Sequence, residues 1–127
     1  MRFALEKTMD RELMELAAKA AGYWIVGPAE KYVAQLGHYE GGFVIRNDRG
    51  GDSCWNPLTD DGDALRLAIK LRLGLVHGWE SFEEKPLATV WISHDGKCLA
   101  EEIKRDDPYA ATRRAIVRAA AEIGRAM

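Results

Sequence analysis

No stretch of this sequence approaches some eighteen uninterrupted apolar residues, the minimum for a membrane-crossing helix, so no membrane partner is expected. Neither sign of charge prevails. The 18 Lys and Arg stand against 20 Asp and Glu, and a net charge of −2 supplies no global field toward nucleic acid or an anionic membrane. A local basic patch is compatible with that balance. Cysteine is scarce: Cys54 and Cys98 form no CxxC, and no histidine stands at zinc-finger spacing. Two isolated thiols point to a reducing compartment rather than a disulfide scaffold. The opening Met1-Arg2-Phe3-Ala4-Leu5-Glu6-Lys7 soon turns charged, so no signal peptide is expected. What is present is ordinary globular composition, 47% hydrophobic and 30% charged over 127 residues. The expectation is one domain over residues 1–127, cytoplasmic, with a core that needs no disulfide, metal or cofactor.

Periodicity places the elements. Leu13, Leu16, Ala17, Ala20 and Ala21 make one stripe of a helix over about residues 9 to 21, stopped by Gly22. Tyr23-Trp24-Ile25-Val26 reads as a buried strand, broken by Gly27-Pro28. Residues 28 to 36 form either a short helix or an irregular loop. Gly42 to Arg46 reads as a strand, and 47 to 53 as a surface loop. A second helix starts near Asp60, with Thr59 or Asp60 as its cap and Asp61 and Asp63 facing the positive end of its dipole. It is apolar over more than half its circumference, which calls for cover on two sides before Gly74 closes it. Leu75 to His77 is a strand, 80 to 84 an acidic loop, and 87 to 93 an alternating strand. Asp95-Gly96 is the strongest hairpin signal, returning through 97 to 103. A two-residue turn pairs Ile92 with Leu99 and Trp91 with Ala100, and Trp91 implies a sheet covered on both faces. The last helix has Asp107 as N-cap, Pro108 at N1, and Ile116, Ala119, Ala120 and Ile123 as its stripe. Arg118 is placed to pair with Glu122.

Two segments carry a resemblance. The helix entry Trp55-Asn56-Pro57-Leu58-Thr59-Asp60-Asp61 and the terminal Asp107-Pro108…Ala111-Thr112-Arg113-Arg114-Ala115-Ile116 resemble the phage ABA sandwich domain family, with phage NinX-like proteins similar in layout. The likeness runs from Leu13 to Ile123, departing in an extra segment from Pro28 to Gly42. It implies an α/β (α+β) three-layer α-β-α sandwich around a small mixed sheet of four or five strands. It also implies a small phage or prophage protein with no established activity.

No catalytic signature stands out. Asp52, Asp60, Asp61 and Asp63 read as caps and dipole partners; they fail the EF-hand spacing, and no metal site is expected. His38, His77 and His94 are scattered, with no HExxH, no His-x-His and no paired Glu beside them. Cys54 lacks a nucleophile signature, and Gly41-Gly42 and Gly50-Gly51 fit no nucleotide loop. The candidates for binding are therefore Trp55, Arg113, Arg114 and Arg118. Trp55 either packs on the first turn of its helix or is an exposed anchor. Arg114, Arg118 and Arg125 share one helix face beside Arg113, which is either a solvated face or a phosphate-binding one. The expected role is an accessory protein that binds an unknown host or phage protein without catalysis, a homodimer being compatible with it. The alternative is a weak nucleic-acid or nucleotide binder using the arginine face.

Overall fold

The computed structural model describes residues 2–32, 41–46, 50–82, 85–104 and 106–127. Along the chain these give helix α1 (Arg2–Ala21), strand β1 (Trp24–Pro28), a 3-10 turn (Ala29–Tyr32), and strands β2 (Phe43–Arg46) and β3 (Asp52–Trp55). Helix α2 (Asp61–Lys70), strands β4 (Gly74–Phe82), β5 (Lys85–His94) and β6 (Lys97–Ile103), and helix α3 (Pro108–Arg125) follow. The class is α+β, as expected. The strands, expected in one mixed sheet, divide into two antiparallel sheets, β1-β2-β3 and β4-β5-β6. β4 pairs with the next strand along its whole length, from Gly74↔Ser93 to Phe82↔Lys85, a local closure that costs little loop entropy. Lying between β3 and β4, α2 leads from one sheet to the other instead of serving as a parallel crossover.

Several boundaries move. Asp52 to Ser53, expected in a loop, belong to β3, and β4 runs on to Phe82 where an acidic loop was expected. The helix-or-loop segment 28 to 36 is a 3-10 turn up to Tyr32, and its remainder lies outside the described residues. In β1 it is Trp24 that faces solvent, at 70% exposure, while Tyr23 packs against the core.

α1 starts seven residues earlier than its stripe suggested and buries Met14, Ala17, Ala18 and Ala21, with Leu13 and Leu16 half-covered. It ends as expected. Gly22 takes a φ of +76°, its N–H donates to Lys19 O, and the N–H of Tyr23 reaches back to Ala18 O. That paired closure satisfies carbonyls the helix leaves open. The same closure ends α2 two residues before Gly74, with Arg72 in the left-handed position (φ 55°) and Leu73 N–H donating to Ala68 O.

α3 is the hub. Ala115, Ile116, Val117, Ala119, Ala120, Ala121 and Gly124 are buried, a wider belt than one stripe, because α3 packs on α1, α2 and the second sheet together. Its alanines allow close approach. At Gly124 the approach is between backbones, since a Cβ there would lie 2.1 Å from the carbonyl oxygen of Leu16. Against the sheet α3 meets Val90, Ile92 and Ala100, all in the same buried cluster.

The hairpin turn is as expected, with Asp95 and Gly96 both at positive φ (51° and 78°), the requirement of a type I′ turn. The register is not. Ser93 pairs with Cys98, then a bulge makes Ile92 face Ala100 and Trp91 face Glu101. The inserted residue brings the small Ala100 beneath α3 and leaves Leu99 half-buried. Trp91 lies on the other face, where its ring covers the bare backbone of Gly78; a Cβ on Gly78 would come within 2.4 Å of it. Val76, on that same face by alternation, is exposed.

Candidate binding groove

The entry to α2 is built from the polar groups of residues 55 to 63. Asp60 has extended backbone and its carboxylate accepts from Asp63 N–H at 2.8 Å, the N-cap geometry. Asp63 reaches back past Pro57 and accepts from Asn56 N–H at 2.9 Å, while its other oxygen accepts from Arg66 at 2.9 Å. The Asp63 hydrogen bond raises the Arg66 pKa above its ordinary value, outweighing desolvation. Asn56 Oδ1 in turn accepts from Leu58 N–H, closing an Asx turn around the buried Pro57. Asp61 is bound to Arg113 at 2.6 Å and Asp52 to Arg46 at 3.2 Å. Asp60 and Asp63 share the Arg66 guanidinium, at 3.9 and 2.9 Å, while Asp61 and Asp52 are held elsewhere, and among the described residues no three such groups gather as a metal site would need.

Trp55 is 4% exposed and sits in the core, its ring edge-on to Tyr23 at 5.6 Å. This is the packing alternative, not the exposed anchor. The three candidate arginines, set side by side in sequence, serve three different elements. Arg113 donates to Leu58 O and to Asp61, fastening α3 to the α2 entry. Arg114 meets Asp10 of α1 at 2.9 Å. Arg118 donates to the Glu101 carbonyl and to the Glu102 carboxylate on β6, not to Glu122, which pairs with Arg125. A basic face is therefore replaced by a set of ties between α3 and its neighbours.

Cys54 lies half-buried on β3 and Cys98 is exposed on β6; both are free. His38 lies outside the described residues. His94 ends β5, 3.5 Å from Asp95, the strand-end position expected of it.

A groove of about 420 Å³ opens between α2, β4 and the start of α3, with the partly or fully buried Leu75 and Ile116 among its lining. Leu65 (55% exposed) and Tyr109 (69%) stand on its walls with Ala64, Pro108 and Thr112. The Asp61–Arg113 pair lies at its edge. His77 and Lys104 also line it, with Lys104 Nζ 2.5 Å from His77 Nδ1. A volume of this size falls in the usual range for ligand pockets, roughly 300–1,000 Å³. The groove exists because α2 has more apolar circumference than its neighbours cover. Leu65 and Ile69, one turn apart, both remain at the surface. The wide apolar face of α2 was legible in the sequence, but the cover expected on two sides is incomplete, since Leu65 and Ile69 stay exposed. Joining that face to His77 and Lys104 depends on the β4–β5–β6 register, which was not legible.

No helix among the described residues is long and apolar enough to cross a membrane. Comparison of the chain with protein-family models, curated proteins and solved structures gives no match.

Proposed function

We propose that this chain is a small accessory protein of phage or prophage origin, acting in the host cytoplasm by binding a host or phage protein and not by catalysis. The observation that carries the binding reading is the groove between α2, β4 and α3, where exposed leucine and tyrosine are part of an apolar lining. Apolar side chains left in a concave place gain by being covered, at about 25 cal/mol per Å² removed from water. The phage origin rests on the likeness of the two helix entries to the ABA sandwich proteins. The alternative, nucleic-acid binding by α3, is disfavoured because Arg113, Arg114 and Arg118 already face carboxylates.

An affinity capture from infected or lysogenic cells tests both. Leu65→Asp and Tyr109→Ala should lose the captured protein, whereas the double change Arg114→Ala, Arg118→Ala should keep it. Specific nucleic-acid retention destroyed by the arginine double variant would reverse the choice. Its log–log salt slope would be no steeper than about −4, from at most four released counterions.

A further inference from the structure

Among the described residues, one cation lining the groove has no carboxylate partner. On the second sheet, Leu75, His77, Val90, Ile92, Ala100 and Glu102 fall on the face toward α3 by pairing and alternation. Glu102 is held by Arg118 at 2.9 Å. Lys104 continues that face beyond the end of β6, and among the described residues its partner is the ring of His77, at 2.5 Å, and not a carboxylate. An ammonium has three N–H bonds to give, and a ring nitrogen takes one of them. The only acid lining the groove, among the described residues, is Asp61, already bound to Arg113 at 2.6 Å. The lining therefore holds Lys104 and Arg113 against a single carboxylate, an excess of one positive charge before His77 is counted. An apolar lining and a cation without a carboxylate among the described residues fit a molecule with a hydrocarbon part and one anionic group.

We propose that the groove takes a small amphiphile with one carboxylate: the head on Lys104 and His77, the hydrocarbon along Leu65, Leu75, Ile116 and Tyr109. The assignment rests on the groove being a binding site, as proposed above, and adds a small ligand that would compete there with the captured protein. Apolar burial supplies attraction and the ammonium supplies selection, since a charge-assisted hydrogen bond is about twice as strong as a neutral one.

The probes are decanoate and decanol, which share a chain and differ in the head. Both are titrated into the ¹⁵N-labelled full chain and followed by amide shifts of α2, β4 and the first turn of α3. Decanoate is expected to move those amides and to weaken as salt rises; decanol should bind more weakly and ignore salt. Lys104→Met should weaken decanoate roughly tenfold and leave decanol unchanged, which also shows that the variant is folded. Leu65→Asp should weaken both. Equal binding of the two probes, or decanoate indifferent to Lys104→Met, overturns the carboxylate assignment while leaving the groove as a binding site. Failure of both probes to shift groove amides overturns the small-amphiphile proposal outright. The groove's role in protein capture is judged separately, by the Leu65→Asp capture above.

Discussion

Gly124→Ala sets two physical effects of opposite sign against each other. Gly124 lies in the last turns of α3, where alanine is the better helix former by about 1 kcal/mol. On an open helix surface the substitution would raise stability by that amount. Here the new methyl carbon would sit 2.1 Å from Leu16 O and 2.8 Å from Leu16 C. Both contacts are backbone, so no side chain can rotate away. α1 and α3 must separate, and the packing between the two helices loosens with them. Overpacking of this kind costs roughly 1–3 kcal/mol, and the upper part of that range applies to a rigid neighbour. After the propensity gain is subtracted, the net loss is about 2 kcal/mol, which for a domain of this size lowers the melting midpoint by roughly 6–10 °C. Thermal melts by circular dichroism, with urea titration for the free energy, read it directly. Gly62→Ala in α2 is the companion measurement. Its added carbon meets only the far ends of side chains, the Arg66 guanidinium at 3.0 Å and the Asp60 carboxylate at 3.2 Å, and the change should be close to neutral. A Gly124→Ala melt equal to or above that of the wild type would refute the close crossing of α1 and α3.

Further expectations follow from the α2 segment. Asp60→Ala removes the cap and should lower stability by about 1 kcal/mol. Asp63→Ala removes the buried acceptor of the Asn56 N–H and the nearer ion-pair partner of the exposed Arg66, and should cost more, roughly 1–3 kcal/mol in urea titration; equal losses for the two would contradict the separate roles. Arg72→Gly should raise the melting midpoint slightly, because the left-handed penalty of roughly 1–2 kcal/mol exceeds the extra chain entropy of glycine. Calorimetric titration with magnesium, calcium, manganese and zinc should show no tight site. A micromolar isotherm abolished by Asp63→Ala would restore a metal role for the aspartates.

Local signals transferred well from sequence to structure. Gly22, Asp60, Asp107-Pro108 and Asp95-Gly96 act through groups within a few residues of themselves, so their roles can be read without knowing the fold. Arg72 escaped because a left-handed arginine has no sequence signature; Gly74, two positions on, looked like the better stop. The arginines of α3 were misjudged for the opposite reason. Their spacing describes one helix, whereas their partners Asp10, Asp61 and Glu102 come from three other elements. Trp91 was read as evidence of a second covering layer, and its half-burial is explained instead by a glycine on the adjacent strand. The hairpin shows the boundary clearly: turn chemistry was legible, while the one-residue bulge at Leu99 answers to the fit of Ala100 under a distant helix.

The Arg114–Asp10 pair joins residues 104 apart in sequence, and the Gly124–Leu16 crossing spans a similar distance. During synthesis, α1 therefore leaves the ribosome long before the surface that covers it has been made. The strands and α2 between them close over shorter loops and are free to form first. Throughout that interval the methionine and alanine face of α1 is open to chaperones and to other nascent chains. Completion of the fold is tied to release of α3, so shortening the chain anywhere within that helix should deprive α1 of its cover and produce insoluble product, even where both sheets are intact.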